Sequence, residues 1–155
     1  MKKVLVAYFT TSGTTGKMAE YIAEGIRFSG QTAVVKKIED IDTITQIGDY
    51  DGYIFGSPTY SLDVPNPINT FLIRAEKAGL EGKVGAAFGP YTHDISYRHD
   101  THAPALIFDH LQNILKMKPF ELGPFVLKED LVETSEGMKT CQDYGRVFGE
   151  KLIEQ

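Results

Sequence analysis

The chain has 155 residues, close to the usual size of one domain, and its 42% hydrophobic and 24% charged residues are typical of a globular protein. Sixteen Lys and Arg against 21 Asp and Glu give a formal net charge of -5, which argues against a nucleic-acid-binding surface. The apolar run at residues 4–9 is too short for a membrane span or a signal peptide. The single cysteine, Cys141, fits a reducing, cytoplasmic compartment. We expect a single domain over residues 1–155.

Strand and helix patterns alternate along the chain. Apolar runs predict strands at residues 4–9, 52–56 and 83–89, a more polar run predicts an edge strand at 32–38, and a last strand is expected within 120–127. Apolar residues at helical spacing predict helices over about 18–28, 68–75, 106–115 and 138–152, whereas residues 39–50 show only weak helical periodicity. The last helix is expected to begin at Thr134 or Ser135 and to bury one face, formed by Met138, Cys141, Tyr144, Phe148 and Leu152.

This alternation predicts an α/β fold, a doubly wound three-layer domain with a parallel sheet and right-handed crossovers. Long polar loops follow the first, third and fourth strands. Because the carboxyl ends of parallel strands lie at one edge of the sheet, these loops should meet there. The topology therefore predicts one ligand site at that edge.

The first of these loops, residues 10–16, places five hydroxyl side chains and two glycines before a helix. Unpaired amides and the helix dipole favour an anion such as phosphate at this position. The nucleotide-triphosphate pattern fails at Thr11 and Met18, and G-x-G-x-x-G is absent. Without a lysine or arginine among its hydroxyls, the loop suits a phosphate that stays bound and is not transferred. A hydroxyl-rich helix cap without a ligand is the alternative.

Two other occupants of this architecture fit the sequence poorly. A response regulator needs acidic residues after the first strand, where this chain has threonines. A small tyrosine phosphatase needs a cysteine beside its phosphate loop, whereas Cys141 lies on the apolar face of the last predicted helix.

The pattern Thr10-x-Ser12-Gly13-x-Thr15 resembles the FMN-phosphate loop of the flavodoxins, [ST]-x-[ST]-G-x-T, and the resemblance extends along nearly the whole chain. Residues 56–60, Gly-Ser-Pro-Thr-Tyr, are similar to the loop beside the flavin ring, especially in A-type flavoproteins and FMN-dependent quinone reductases. Phe88-Gly89 followed by aromatic residues resembles the second ring loop. The resemblance implies a short-chain flavodoxin-like fold with five parallel strands in the order 2-1-3-4-5 and FMN as the cofactor.

The resemblance also implies which residues contact FMN. Tyr60 is expected to stack on one face of the flavin ring, and either Tyr91 or Tyr97 on the other. The full set of expected cofactor-binding residues is Thr10, Thr11, Ser12, Gly13, Thr14, Thr15, Pro58, Thr59, Tyr60, Ser61, Gly89, Tyr91, His93, Asp94 and Tyr97. We expect no catalytic residue and no metal ligand.

In flavodoxins, a glycine beside the stacking aromatic allows a peptide flip that favours the neutral semiquinone. Ser61-Leu62 stands there in this chain, so we expect a weaker flip and less semiquinone. Asp63 and Asp94 would lower the flavin potential and steer basic partners, or they are ordinary surface residues.

The histidines at positions 93, 99 and 102 cluster in or just after the loop that follows the fourth strand. They would contact the flavin or a partner, or be plain surface residues, with a metal site as a weaker alternative.

The function that the resemblance implies is electron transfer between redox partner proteins, a reductase and an acceptor, docked near the flavin edge. Neither nucleic acid nor a membrane span is expected. One alternative is an FMN enzyme that reduces quinones with NAD(P)H. The other is an interaction module of the same fold without flavin.

Overall fold

The structure is a computed structural model that describes residues 1–59, 64–92 and 102–154. Its strands are β1 (Lys3–Tyr8), β2 (Thr32–Lys37), β3 (Gly52–Gly56), β4 (Val84–Tyr91), β5 (Lys118–Pro119) and β6 (Phe125–Lys128). Its α-helices are α1 (Thr14–Phe28), α2 (Ile44–Gly48), α3 (Asn66–Ala75), α4 (Ala103–Asn113) and α5 (Ser135–Ile153). Single turns of 3-10 helix occur at Ile38–Asp40, Glu76–Ala78 and Glu129–Leu131.

The strands form one parallel sheet in the order β2-β1-β3-β4-β5, and β6 also pairs with β4. The predicted order 2-1-3-4-5 is thus confirmed, but two short strands share the fifth position. The last strand begins at Lys118, before the predicted range of 120–127, and a turn through Gly123 separates its two parts. Pro119 lies in the edge part, where a missing amide costs the ladder least.

Helices cover both faces of the sheet, as expected for a three-layer domain. In β1, Val4 and Val6 point towards the face covered by α1 and α5. Leu5 and Ala7 point to the opposite face, where α3 and α4 pack. This alternation explains why the strand reads as a continuous apolar run, because both of its faces are buried.

Three local features differ from the expectations. Helix α2 forms in the weakly periodic stretch, where the Gln46 side chain accepts hydrogen bonds from the amides of Asp42 and Thr43 at 2.7 and 3.0 Å. Strand β4 runs two residues further than predicted, through Tyr91, because its end pairs with β6. Met138 is exposed, since the buried position in that turn of α5 is Gly137, against the backbone of Leu131.

The other four residues predicted for the buried face of α5, Cys141, Tyr144, Phe148 and Leu152, are all in the core. Thr134 caps this helix, and its hydroxyl accepts a hydrogen bond from the Gly137 amide at 3.0 Å. Among the helices of the described ranges, none has the length and apolar character needed to cross a bilayer.

Candidate functional site

The predicted phosphate loop connects β1 to α1. Gly13 precedes the helix with a φ of 92°, a left-handed conformation that favours glycine, and Thr10 Oγ1 accepts a hydrogen bond from its amide at 2.9 Å. Helix α1 has no side-chain cap among the described residues. The hydroxyls of the loop therefore do not act as a helix cap, and the amides and positive dipole end of the first turn are available to an anion.

A carboxylate already lies against this loop. Glu129 Oε1 accepts hydrogen bonds from Thr14 Oγ1 at 3.1 Å and from Ser12 Oγ at 3.4 Å. The two hydroxyl oxygens are 3.3 Å apart, within hydrogen-bond distance of each other, so both hydroxyls and the carboxylate oxygen form one cluster. Side chains of the loop thus bind an anionic oxygen in this structure.

Glu129 was not among the residues that the sequence predicted. It begins the 3-10 turn that follows β6, so its backbone lies at the carboxyl edge of the sheet with the other loops. The carboxyl end of the last strand lies at the same edge of the sheet as those of the first, third and fourth strands. That position was the signal available in the sequence.

The two remaining threonines of the loop differ in exposure. Thr11 is exposed, whereas Thr15 is 1% exposed in the first turn of α1. Both remain predicted contacts of the cofactor.

The loop after β3 is fixed to neighbouring elements by hydrogen bonds. The Ser57 amide donates to the Phe88 carbonyl at 3.1 Å, and the Ser57 hydroxyl donates to the Pro58 carbonyl at 2.7 Å. Thr59 Oγ1 accepts from the Ala103 amide at 3.0 Å. Thr59, predicted as a cofactor contact, thus caps the first amide of α4. This hydrogen bond joins the loop after β3 to the start of the helix that follows the second predicted ring loop.

Gly89 lies within β4 and is buried against the loop after β3. A Cβ atom at this position would overlap the carbonyl oxygen of Ser57 and approach Pro104 Cγ at 3.0 Å. Glycine is therefore required for the close approach of two backbone segments, both of which lead into predicted ring loops. This packing gives Gly89 a structural role that the resemblance to the family did not imply.

Tyr91 ends β4 and is half-buried. Its ring meets His102 edge-on, with centroids 5.6 Å apart and an angle of 83° between the planes. A cavity of about 270 Å³ lies beside it, lined by Tyr91, Thr92, Lys128, Glu129 and Asp130. This cavity therefore lies between the end of β4 and the Glu129 carboxylate that contacts the phosphate loop.

Several predicted residues lie outside the described part of the chain. They are Tyr60, Ser61, His93, Asp94 and Tyr97, together with Leu62, Asp63 and His99, which entered the arguments about potential, partners and metal binding. Their roles stay predictions, and so does the choice between Tyr91 and Tyr97.

The structure weakens the alternative of a tyrosine phosphatase. Cys141 is buried in α5, and burial raises the pKa of its thiol to about 12, so it is not suited to act as a nucleophile. Within residues 1–59, 64–92 and 102–154, no group of three His, Cys, Asp or Glu side chains could hold a metal ion. The metal alternative involved His93 and His99, which lie outside these ranges, so it stays a prediction.

The family model described as "Flavodoxin domain" matches residues 5–93. A flavodoxin from Clostridium saccharobutylicum is 32% identical over 88 residues, covering 56% of this chain and 54% of the relative. An NAD(P)H dehydrogenase (quinone) from Acidovorax ebreus is 34% identical over 111 residues, covering 57% of this chain and 56% of the relative. The chain therefore spans just over half the length of these curated relatives.

Solved structures agree with the family model. A flavodoxin from the domain Archaea superposes with a TM-score of 0.82 at 25% sequence identity, covering 97% of this chain and 99% of that one. The match to the family model includes β1, the phosphate loop, the loop after β3 and β4. Together with the sheet order and the geometry of the loop, it shows that this chain belongs to the flavodoxin domain family, whose members bind FMN.

Proposed function

We propose that residues 1–155 form one FMN-binding domain that transfers electrons between redox partner proteins in the cytoplasm. The observation that supports this most strongly is the phosphate loop. Its two hydroxyls already bind an anionic oxygen, and the first turn of α1 lacks a side-chain cap. This donor set suits a phosphate monoester, so the residues present fit FMN.

FMN supplies the redox chemistry, and the chain supplies binding and orientation. Ser12, Thr14 and the first amides of α1 hold the phosphate. Thr10 and Gly13 set the shape of the loop, since the Thr10 hydroxyl binds the Gly13 amide. Ser61-Leu62 stands where the family pattern has a glycine, so a peptide flip in this loop would be weaker here.

The flavin ring binds between the two ring loops in this proposal. Gly89 allows the loop after β3 to lie directly on β4, and Thr59 ties that loop to the start of α4. Tyr60 and either Tyr91 or Tyr97 stack on the ring and shield it from water.

The partners are a reductase and an electron acceptor that dock near the exposed flavin edge. The chain has a net charge of -5, and Glu129 and Asp130 border the site. Basic docking surfaces on the partners would match this charge. High salt should therefore slow electron exchange with them.

A second candidate is an FMN enzyme that reduces quinones with NAD(P)H. The observation in its favour is the similarity to NAD(P)H dehydrogenase (quinone) relatives over more than half of the chain. Against it, the dehydrogenase alignment is longer than the flavodoxin alignment although it covers nearly the same share of this chain. Those relatives therefore contain extra residues within the matched region that this chain lacks.

The proposal is tested by recording the visible absorption of the purified protein before and after FMN is added, and then during stepwise reduction with dithionite. We expect stoichiometric FMN binding, reduction by dithionite, and no catalytic oxidation of NAD(P)H with a quinone present. Catalytic NAD(P)H oxidation would favour the second candidate. If the protein neither contains nor binds FMN, the favoured alternative is an interaction module of the same fold that has no flavin.

A matched pair of variants tests the site itself. Thr14→Val removes a hydroxyl donor from the phosphate loop while nearly preserving side-chain volume, and Thr45→Val removes an exposed hydroxyl from α2 at the other end of the sheet. We expect weaker FMN binding only for Thr14→Val. Equal affinities in the two variants would contradict a phosphate contact at Thr14.

A further inference from the structure

The carboxylate of Glu129 occupies donors that the cofactor phosphate needs. We propose that Glu129 is a specificity-determining residue of the cofactor site, which competes with the phosphate of FMN for the hydroxyls of Ser12 and Thr14. This inference rests on the proposed function, because it concerns the same phosphate loop. In this role, Glu129 lowers the affinity of the chain for FMN and leaves its affinity for riboflavin, which has no phosphate, unchanged.

The geometry makes the competition direct. A single oxygen, Glu129 Oε1, accepts from both hydroxyls, at 3.1 Å from Thr14 Oγ1 and 3.4 Å from Ser12 Oγ. A phosphate oxygen that took the same two hydrogen bonds would stand where this carboxylate oxygen stands. Phosphate therefore gains these two hydrogen bonds only after the Glu129 carboxylate has moved aside.

In the described part of the chain, no cation forms an ion pair with Glu129. None of the ion pairs formed between described residues includes it. The loop from Thr10 to Thr15 contains no lysine or arginine. Lys128 and Asp130 also border the cavity that Glu129 lines, but both side chains are exposed, so water screens their opposite charges.

Two consequences follow for ligand choice. Repulsion between a carboxylate and a phosphate within a few ångströms, at the edge of a protein, is enough to change binding by about 10-fold or more. Riboflavin lacks the phosphate, so Glu129 has neither a charge to repel nor a competitor for the hydroxyls. The penalty from Glu129 thus applies to FMN and not to riboflavin.

The test measures the dissociation constants of FMN and riboflavin for three proteins: the natural chain, Glu129→Gln and Asp130→Asn. Glutamine removes the charge, and its neutral amide oxygen competes more weakly for the hydroxyls of Ser12 and Thr14 while still able to accept from them, so the loop keeps its shape. Asp130→Asn removes the same charge from the adjacent, exposed position. Urea unfolding of the three proteins shows that each is folded to a similar stability.

We expect Glu129→Gln to bind FMN about 10-fold more tightly, with riboflavin changed by less than about twofold. Asp130→Asn should change FMN binding by less than about threefold, since solvent screens an exposed charge. If both variants bound FMN more tightly by the same factor, the net charge of the protein, and not local competition by Glu129, would explain the change. Weaker FMN binding by Glu129→Gln would overturn local competition too, and so would tighter binding of riboflavin.

Failure of this inference is distinguishable from failure of the proposed function. If the natural chain binds FMN and Glu129→Gln binds it no more tightly, only the inference fails. If neither protein binds FMN, both fail. If Glu129→Gln alone binds FMN, the competition is supported and the natural chain is not an FMN carrier.

Discussion

Replacing Gly89 by alanine should separate the two predicted ring loops. The new methyl group would overlap the carbonyl oxygen of Ser57, a backbone atom that cannot rotate away, and would press on Pro104. Overpacking of this kind costs about 1 to 3 kcal/mol, and contact with backbone places the substitution at the upper end. The loss of chain entropy in the unfolded state offsets about 0.4 to 1 kcal/mol of this cost.

We therefore expect Gly89→Ala to lower the free energy of unfolding by about 2 kcal/mol, or the Tm by about 4 to 8 °C for a chain of this size. Gly85→Ala is the matched control, since Gly85 lies in the same strand. Its Cβ would meet Met117 Cε at 2.9 Å, the flexible end of a side chain that can shift. The loss for Gly85→Ala should stay below about 1 kcal/mol.

Urea unfolding of the protein without flavin measures the two free energies, and FMN titration measures the effect on the site. Gly89→Ala should weaken FMN binding more than Gly85→Ala, because only Gly89 touches the loop after β3. The reasoning is refuted if the two variants have the same stability, or if Gly89→Ala binds FMN as tightly as the natural chain.

Three further predictions concern single side chains. Thr59→Val removes the acceptor of the Ala103 amide and should cost about 1 kcal/mol in urea unfolding together with weaker FMN binding, whereas Thr59→Ser, which keeps the acceptor, should lose little of either. Burial lowers the pKa of His110 below its ordinary value of 6.5 against the opposing effect of Glu76, so the unfolded chain binds a proton more readily. Stability should therefore fall as the pH drops through 6.5 towards the lowered pKa, and His110→Gln should flatten that part of a pH series of unfolding curves. The buried Cys141 thiol should resist a disulfide reagent in the folded protein and react in urea; fast reaction of the folded protein would contradict its burial.

Much of the fold was predictable because buried strands and helices leave strong local patterns. Strand β3 has the predicted bounds of 52–56, and four of the five residues predicted for the buried face of α5 are in the core. The sheet order followed from the resemblance. These features depend on residues close together in sequence or on a familiar topology.

The two missed features differ in whether their partners are distant or close in sequence. Strand β4 extends through Tyr91 only because β6 lies beside it, and local sequence contains no trace of that pairing. Helix α2 depends instead on a local contact, because the Gln46 side chain accepts from amides three and four residues before it. The extension of β4 is thus the case in which a tertiary contact outweighs weak local preference.

The candidate site shows the same division. The resemblance located the phosphate loop, and the structure supports its anion-binding geometry. The contact between Thr14 and Glu129 joins positions 115 residues apart, so no local motif could contain it. The hydrogen bond from the Ala103 amide to Thr59 likewise spans 44 residues. It shows that Thr59, which was predicted to contact the cofactor, caps helix α4.

The central claim is that the loop from Thr10 to Thr15 holds the phosphate of FMN. An NMR titration of isotopically labelled protein with FMN tests it most directly, because each backbone amide reports its own surroundings. The account predicts that the amides of Thr14, Thr15 and Gly16 shift strongly and saturate at one FMN per chain. It would be contradicted if these amides stayed unchanged while others moved, for example those near Met1 and Asp51 at the opposite edge of the sheet.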